Sequence, residues 1–222
     1  MKGNSMDILF TDKHIIICEK PSGTVCEGEG ENALPTLLSR QLAEMGEKNT
    51  RIFPVHRLDK ETVGVCVFAR TSASAAALSE SITKGELDKE YLAVVCGAPE
   101  KNSDTLTDLL YYDRSRGKSF VVDRQRNGVK KATLDYDVID TREGFSLLRI
   151  RLHTGRTHQI RVQLASRGLP LAGDRRYGAP KNGIQTVSLC AHKLSFPHPV
   201  SGEQMQFSVS TPSTQPWSLF EI

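Results

Sequence analysis

A chain of 222 residues that is 38% hydrophobic and 25% charged has the make-up of a globular protein, with length enough to bury a core without disulfide or metal staples. No apolar run approaches a membrane span and no charged-then-apolar leader opens the chain, so neither a spanning segment nor an export signal is expected. A formal net charge of +3 does not by itself mark a nucleic-acid binder; what counts is where the cations cluster.

Met1 to Ser5 read as a frayed end. Residues 14–19 form an apolar run that stops at Lys20-Pro21-Ser22-Gly23, a strand followed by a turn. Residues 34–45 carry Leu34, Leu37, Leu38 and Leu42 ahead of Gly46, the spacing and stop of a helix. A strand over 64–70 is followed by an Ala-rich helix over 72–84, with Thr71-Ser72 as caps and Gly85 at its end. Residues 87–96 are a strand. Strands over 120–123 and 129–139 flank Asn127-Gly128, a strong hairpin signal, and 145–152 is a further strand. Residues 157–167 are expected to be helical, with Thr157 as N-cap and a stop at Gly168-Leu169-Pro170. Residues 188–196 and 205–209 are late strands. The sum is an α+β fold on a large, mostly antiparallel sheet. No repeat or linker divides it, so residues 1–222 read as a single domain. The order of strands is not encoded in this pattern.

Five cysteines are present: Cys18, Cys26, Cys66, Cys96 and Cys190. The number is odd, no C-x-x-C pair occurs, and Cys18 and Cys66 sit in apolar runs. They read as reduced core residues of a cytoplasmic protein.

Several segments carry candidate chemistry. In Val55-His56-Arg57-Leu58-Asp59-Lys60, cations and an acid precede a Gly and an apolar strand. A carboxylate there can act as nucleophile or general base, although a turn Asp paired with Arg57 or Lys60 is the commoner arrangement. Tyr91 opens an apolar strand after Lys89-Glu90; it can stack on a base and move a proton, or simply pack in the core. In Thr154-Gly155-Arg156-Thr157-His158-Gln159-Ile160-Arg161, a turn leads into a helix. His158 and Arg161 would share one face there, suited to an anion or merely solvated. Gly173-Asp174-Arg175-Arg176-Tyr177-Gly178 is a loop with paired arginines. Around the expected hairpin, Arg114, Arg116, Lys118, Arg124, Arg126, Lys130 and Lys131 outnumber Asp113 and Asp123. Such a ribbon can grip phosphates, or can protect an exposed edge. No phosphate loop, Gly-x-Gly-x-x-Gly turn, His-Glu-x-x-His helix, Cys/His cluster or Gly-x-Ser-x-Gly elbow is present, so no cofactor and no metal are expected.

Taken together and in this order, these segments resemble the RluA family of RNA pseudouridine synthases. The resemblance rests on His56-Arg57-Leu58-Asp59 with Thr62 and Gly64, on Lys89-x-Tyr91, on the intact run Thr154 to Arg161, and on Gly173-Asp174-x-x-Tyr177-Gly178. Weaker matches are Lys20-Pro21-x-Gly23, Lys131-Ala132-Thr133, and the stretch from Leu189 to Pro199. Val63, Gln163 and Glu19 depart from the residues common in the family, which are Ser, His and Asn. The resemblance implies the pseudouridine synthase fold, a bent mixed sheet with flanking helices, and isomerisation of uridine in ribosomal or transfer RNA. It implies Asp59 as the catalytic carboxylate, Arg161 as the cation that keeps it charged, and Tyr91 stacked on the target base. Arg57 would fill the space of an extruded nucleotide. The RNA-contacting set expected with it is His56, Arg156, His158, Arg124, Arg126 and Lys131. The expected partner is RNA, bound by a monomer in the cytoplasm, without a membrane or a nucleotide cofactor. About twenty residues precede Lys20, too few for the S4 domain that precedes the catalytic domain in many relatives. Two other readings stay open: a non-catalytic RNA-binding or remodelling protein on the same scaffold, and a carboxylate-dependent hydrolase. The second would want two cooperating acids, and Glu61 is the only one close to Asp59 in sequence.

Overall fold

The computed structural model describes residues 6–221; the expected frayed end at Met1 to Ser5 lies outside them. In chain order the elements are β1 (Asp7–Thr11), β2 (Ile15–Lys20), α1 (Leu34–Glu44), β3 (Phe53–Pro54), β4 (Val63–Ala69), α2 (Ser72–Lys84), β5 (Asp88–Cys96) and β6 (Ser103–Asp113). They continue with β7 (Lys118–Val122), β8 (Val129–Arg142), β9 (Phe145–Leu152), α3 (Gln159–Ala165), β10 (Leu189–Pro197) and β11 (Gln204–Ser208), with short 3-10 turns at Arg175–Tyr177 and Trp217–Leu219. The class is α+β.

The chain forms two compact units: Met1–Lys89 with Ala191–Ser210, and Glu90–Cys190 with Thr211–Ile222. In the first, strands run in the order β1-β2-β4-β10, with β3 on β4 and β11 on β10. Ile15, Ile16, Ile17 and Cys18 of β2, and Cys66 to Ala69 of β4, have no exposed surface. Strands covered on both faces read as continuous apolar runs, which is why both were legible. Helix α1 buries Leu34, Leu38 and Leu42, one stripe at i, i+4 and i+8. Helix α2 starts where expected: the Thr71 side chain accepts from the Ser74 N–H, and Gly85 ends it in the left-handed region at φ 74°.

In the second unit the order is β5-β9-β8-β6-β7, and all four pairings are antiparallel. The expected hairpin between the strands flanking Asn127-Gly128 does not form. Asn127-Gly128 does make a turn, closed by Val129 N–H to the Arg126 carbonyl at 3.0 Å, but β7 and β8 lie on opposite edges of β6. The unanticipated strand β6 therefore takes both partners. Its sequence, Ser-Asp-Thr-Leu-Thr-Asp-Leu-Leu-Tyr-Tyr-Asp, buries only Leu106 and Leu110, too sparse an apolar pattern to announce a central strand. Strands β1 and β3 were likewise not anticipated. The late helix is shorter than the expected 157–167. His158, not Thr157, stands at its N-cap, in the left-handed region at φ 54° and with no capping hydrogen bond from its side chain. Thr157 instead offers its carbonyl to Ser119 Oγ at 2.5 Å.

Gly64, the second residue of β4, has φ 122°, and a Cβ there would collide with the Ala191 carbonyl on β10. Gly30 has an ordinary φ and nothing within 4 Å of an added Cβ. Gly64→Ala should therefore cost roughly 1–3 kcal/mol from overpacking, with backbone strain added, while Gly30→Ala should be near neutral. Urea unfolding of both variants checks the contrast.

Candidate active site

Asp59 lies in the first unit, in the connection from β3 to β4. Its side chain is half-buried, and its carbonyl accepts the Thr62 N–H at 3.1 Å. The connection is braced from below by Lys20 at the end of β2. Lys20 has no exposed surface. Its Nζ donates to the carbonyls of Pro21 (3.0 Å), Lys60 (3.0 Å) and Thr62 (2.7 Å), which uses all three ammonium protons. Burial pushes the Lys20 pKa down, while the negative fields of the Cys26 and Cys66 thiols, Asp59 and Glu61 oppose that shift. Gly23 N–H also donates to the Lys60 carbonyl at 2.9 Å, and Ser22 Oγ to the Glu61 carbonyl at 3.2 Å. The segment Lys20-Pro21-Ser22-Gly23, legible only as a turn, is thus a cradle for the backbone just after Asp59.

The residues before Asp59 are anchored as well. Leu58 is buried, and its N–H donates to Cys26 Sγ at 3.2 Å. His56 Nε2 accepts the Val67 N–H of β4 at 3.1 Å, so the ring proton of neutral His56 sits on Nδ1. That atom is sealed from water and has no hydrogen-bond partner among the described residues. Burial, and secondarily the charge of Lys89, pushes the His56 pKa well below 6.5. Arg57 stays outside, with its side chain 61% exposed and an ion pair of 3.2 Å to Glu27.

In the second unit, α3 buries every residue from Gln159 to Leu164. The expected helix face shared by His158 and Arg161, suited to an anion or merely solvated, does not form, because His158 precedes the helix and Arg161 is only 2% exposed. Arg161 is gripped by Asp174 through two bonds, Nε to Oδ2 at 2.6 Å and Nη2 to Oδ1 at 2.9 Å. This is the planar two-point match that guanidinium and carboxylate allow. The Tyr177 ring lies 5.3 Å from the guanidinium carbon. Its hydroxyl accepts the Ser119 N–H at 2.8 Å and shares a hydrogen with His158 Nδ1 at 2.9 Å. Gly173, at φ 78°, lets this loop pass against the Thr186 carbonyl, which a Cβ would strike. The motif Gly173-Asp174-x-x-Tyr177 is therefore the seat of Arg161. Sequence reasoning picked out the motif but not this role. Gln159 was missed as well. Its Oε1 accepts from Thr154 Oγ1 (2.8 Å) and Arg156 N–H (3.0 Å), while its Nε2 donates to the Thr133 carbonyl (3.1 Å). It ties the turn before the helix to β8, and no side chain caps the helix itself.

Tyr91 is buried in β5, opposite Ile150 of β9. Among the remaining expected site residues, Arg124 and Arg126 are exposed in the β7–β8 connection and Lys131 is exposed on β8. The Arg126 guanidinium lies 4.8 Å from the Tyr111 ring centre. Arg156 is exposed, and its Nε donates to the Lys131 carbonyl at 3.1 Å, which ties two of the expected RNA contacts together.

A family model described as RNA pseudouridylate synthase matches residues 14–166, a span that includes Asp59, Tyr91 and Arg161. The chain belongs to this family. It is 32% identical over 222 residues to ribosomal large subunit pseudouridine synthase D of Zymomonas mobilis, covering 93% of this chain and 69% of that protein. The corresponding enzyme of Xanthomonas campestris is 34% identical, with 93% and 66% covered. An uncharacterized RNA pseudouridine synthase of Bacillus subtilis, YhcT, is 33% identical, with 89% and 66% covered. The chain thus spans about two thirds of the length of these relatives. Human RNA pseudouridylate synthase domain containing 4 shares the fold, with a TM-score of 0.79 at 24% identity over 96% of this chain and 91% of that one. The protein is thus a pseudouridine synthase, an isomerase that acts on RNA. No helix among the described residues is long and apolar enough to cross a membrane.

Two outcomes follow from this geometry. Asp174→Asn strips the charge that balances Arg161 where both side chains are almost wholly buried, and should cost about 3–5 kcal/mol, read by urea unfolding. His56 stays neutral in the fold at a pH where the unfolded ring, with its pKa near 6.5, takes up a proton. The unfolded chain then binds more protons below about pH 6.5, and stability falls as pH falls through that window. His56→Gln places an amide oxygen where Nε2 accepts from Val67. It should flatten the dependence of the melting temperature on pH between about 7.5 and 5; a slope equal to that of the parent protein would refute this account of the ring.

Proposed function

We propose that the protein converts particular uridines of ribosomal or transfer RNA to pseudouridine, with Asp59 as the reacting carboxylate. The observation that carries this is the bracing of the Asp59 connection. Lys20, Gly23, Ser22 and Cys26 bond to the residues around Asp59, and His56, three positions before it, is bonded to Val67 of β4; this is the support a reacting group needs to hold a productive position. The similarity to ribosomal large subunit synthases favours ribosomal RNA as the substrate.

In the reaction the bond from the sugar to N1 breaks, the base turns, and C5 joins the sugar as it loses its hydrogen. Nothing is added or removed overall. The target base must first leave its stack, and Tyr91 offers it a ring face. Asp59 either attacks the nucleotide or takes a proton, and both routes need it ionised; Arg161 supplies the compensating charge. Arg57, exposed beside Asp59, fills the space the base vacates. Arg124, Arg126, Lys131, Arg156 and His158 serve RNA binding; His56, expected among them, has both ring nitrogens turned inward and braces the connection instead. The enzyme works as a monomer in the cytoplasm and requires no cofactor.

Release of tritium from RNA carrying 5-tritiated uridine tests the reading, because C5 gives up its hydrogen only on isomerisation. Asp59→Asn should lower release to background while RNA binding persists. Arg161→Met should cripple turnover too, and the double variant should be no worse than Asp59→Asn, because groups acting as one unit are non-additive. Near-normal release by Asp59→Asn would end the assignment.

A further inference from the structure

Beneath the Asp59 connection lies a thiol pair that the reaction does not use. Cys26 Sγ and Cys66 Sγ are 3.9 Å apart in hydrogen-bond contact. Cys66 is fixed in β4 with no exposed surface, and Cys26 is 2% exposed. Their surroundings differ. Cys66 belongs to a strand paired along its length with β2. Cys26 is the one buried residue between Pro21 and Asn32, a stretch otherwise exposed except for half-buried Thr24. A local opening of this loop uncovers Cys26 without disturbing the sheet.

The chemistry of the two sulfurs differs as well. The hydrogen bond with Cys66 lowers the Cys26 pKa to about 7; burial opposes this, while the Leu58 backbone and the Lys20 charge assist it. Burial holds the Cys66 thiol well above 9. Burial likewise pushes Cys18, the cross-strand neighbour of Cys66, up to about 12. Thiolate character sets nucleophilicity toward oxidants, so one sulfur of the group is the attacker, with a second beside it to resolve the product.

We propose that Cys26 and Cys66 are a peroxide-responsive modification site, whose disulfide detaches the Asp59 connection from its anchor and switches the synthase off. The Cys26 thiolate attacks one oxygen of a hydroperoxide, the O–O bond breaks, and an alcohol or water leaves, giving a sulfenic acid. The Cys66 thiol displaces that oxygen as water. Two thiols and one hydroperoxide thus become one disulfide, one alcohol and one water, the two electrons passing from sulfur to the O–O bond. A disulfide needs its sulfurs about 2.0 Å apart, so they close by nearly half their present separation. The strand is held, so the Cys26 loop is what moves. Cys26 also holds Leu58, accepting its N–H at 3.2 Å and donating to its carbonyl at 3.7 Å. The disulfide has no S–H to donate and draws its sulfur toward β4, away from the residue that directly precedes Asp59. A shift of about 1 Å in a reacting group can cost about a hundredfold in rate.

The explanation of the switch rests on Asp59 being the reacting group, whereas formation of the cross-link and the loss of turnover that goes with it are read without that assignment. The purified protein is titrated with hydrogen peroxide, its free thiols are blocked, and its peptides are mapped by mass spectrometry without reduction; tritium release is measured on the same samples. The expected result is a Cys26–Cys66 cross-linked peptide that grows in step with a fall in turnover of about a hundredfold, both reversed by dithiothreitol. Cys66→Ala should keep its basal activity, form no cross-link and resist the same treatment, while Cys18→Ala should respond as the parent does. Oxidation without this cross-link overturns the site. A fully cross-linked parent that still turns over overturns the switch, and both results are independent of the Asp59→Asn outcome. Because the cross-link and activity of the parent protein are read directly, poor folding of a variant does not remove the test.

Discussion

A lysine ammonium with no exposed surface survives only because three carbonyls receive its three protons, and the first unit is arranged around that requirement. Taking the charge of Lys20 out of water costs several kcal/mol. The cost is offset only if the carbonyls of Pro21, Lys60 and Thr62 converge on one point. Two of the three belong to the residues just after Asp59, so the geometry of the Asp59 connection and the burial of Lys20 are one condition. The chain cannot let this connection wander without stranding a buried cation. Gly64, second in β4, completes the constraint, since only a residue without Cβ lets the strand pass against the Ala191 peptide.

The second unit solves the same problem with the opposite chemistry. Arg161, nearly as buried as Lys20, is met by a carboxylate rather than by carbonyls, and by a ring face at Tyr177. A buried ion pair of this kind adds little net stability over apolar packing. It fixes orientation, because a guanidinium held at two points has lost its freedom to rotate. Each unit thus gives up stability to hold one charged group in a defined place, which is what preorganised electrostatics requires of a catalyst.

The parts of this fold that were legible are those where a local rule and the tertiary outcome coincide. Helix α2 ran from a Thr cap to a left-handed Gly, and β2 and β4 were read from unbroken apolar runs. The hairpin around Asn127-Gly128 failed because a turn signal states where the chain bends, not which strand it then meets; β6, half polar, lay between. The motifs located Asp59, Tyr91 and Arg161, yet the partners that position them were invisible. Asp174 is 13 positions from Arg161 and Lys20 is 42 from Thr62, and no periodicity relates either pair. Thr157 is a cap by residue type alone, whereas the side chain that fixes the turn ahead of this helix is Gln159, whose amide satisfies three groups at once.

The division between buried and exposed motif residues bears on what such motifs can report. Lys20, Gly64, Gln159, Gly173, Asp174 and Tyr177 have structural work to do, and substitutions there would be felt in the fold whatever RNA is bound. Arg57, Arg124, Arg126, Lys131 and Arg156 are exposed and bound by few constraints from within. Contacts to phosphates place an RNA without reading its sequence, and exposed cations can be moved or exchanged at small cost to stability. A motif made mainly of bracing residues therefore reports on how the fold holds its charged groups, while the exposed cations are positions that the fold leaves free to vary.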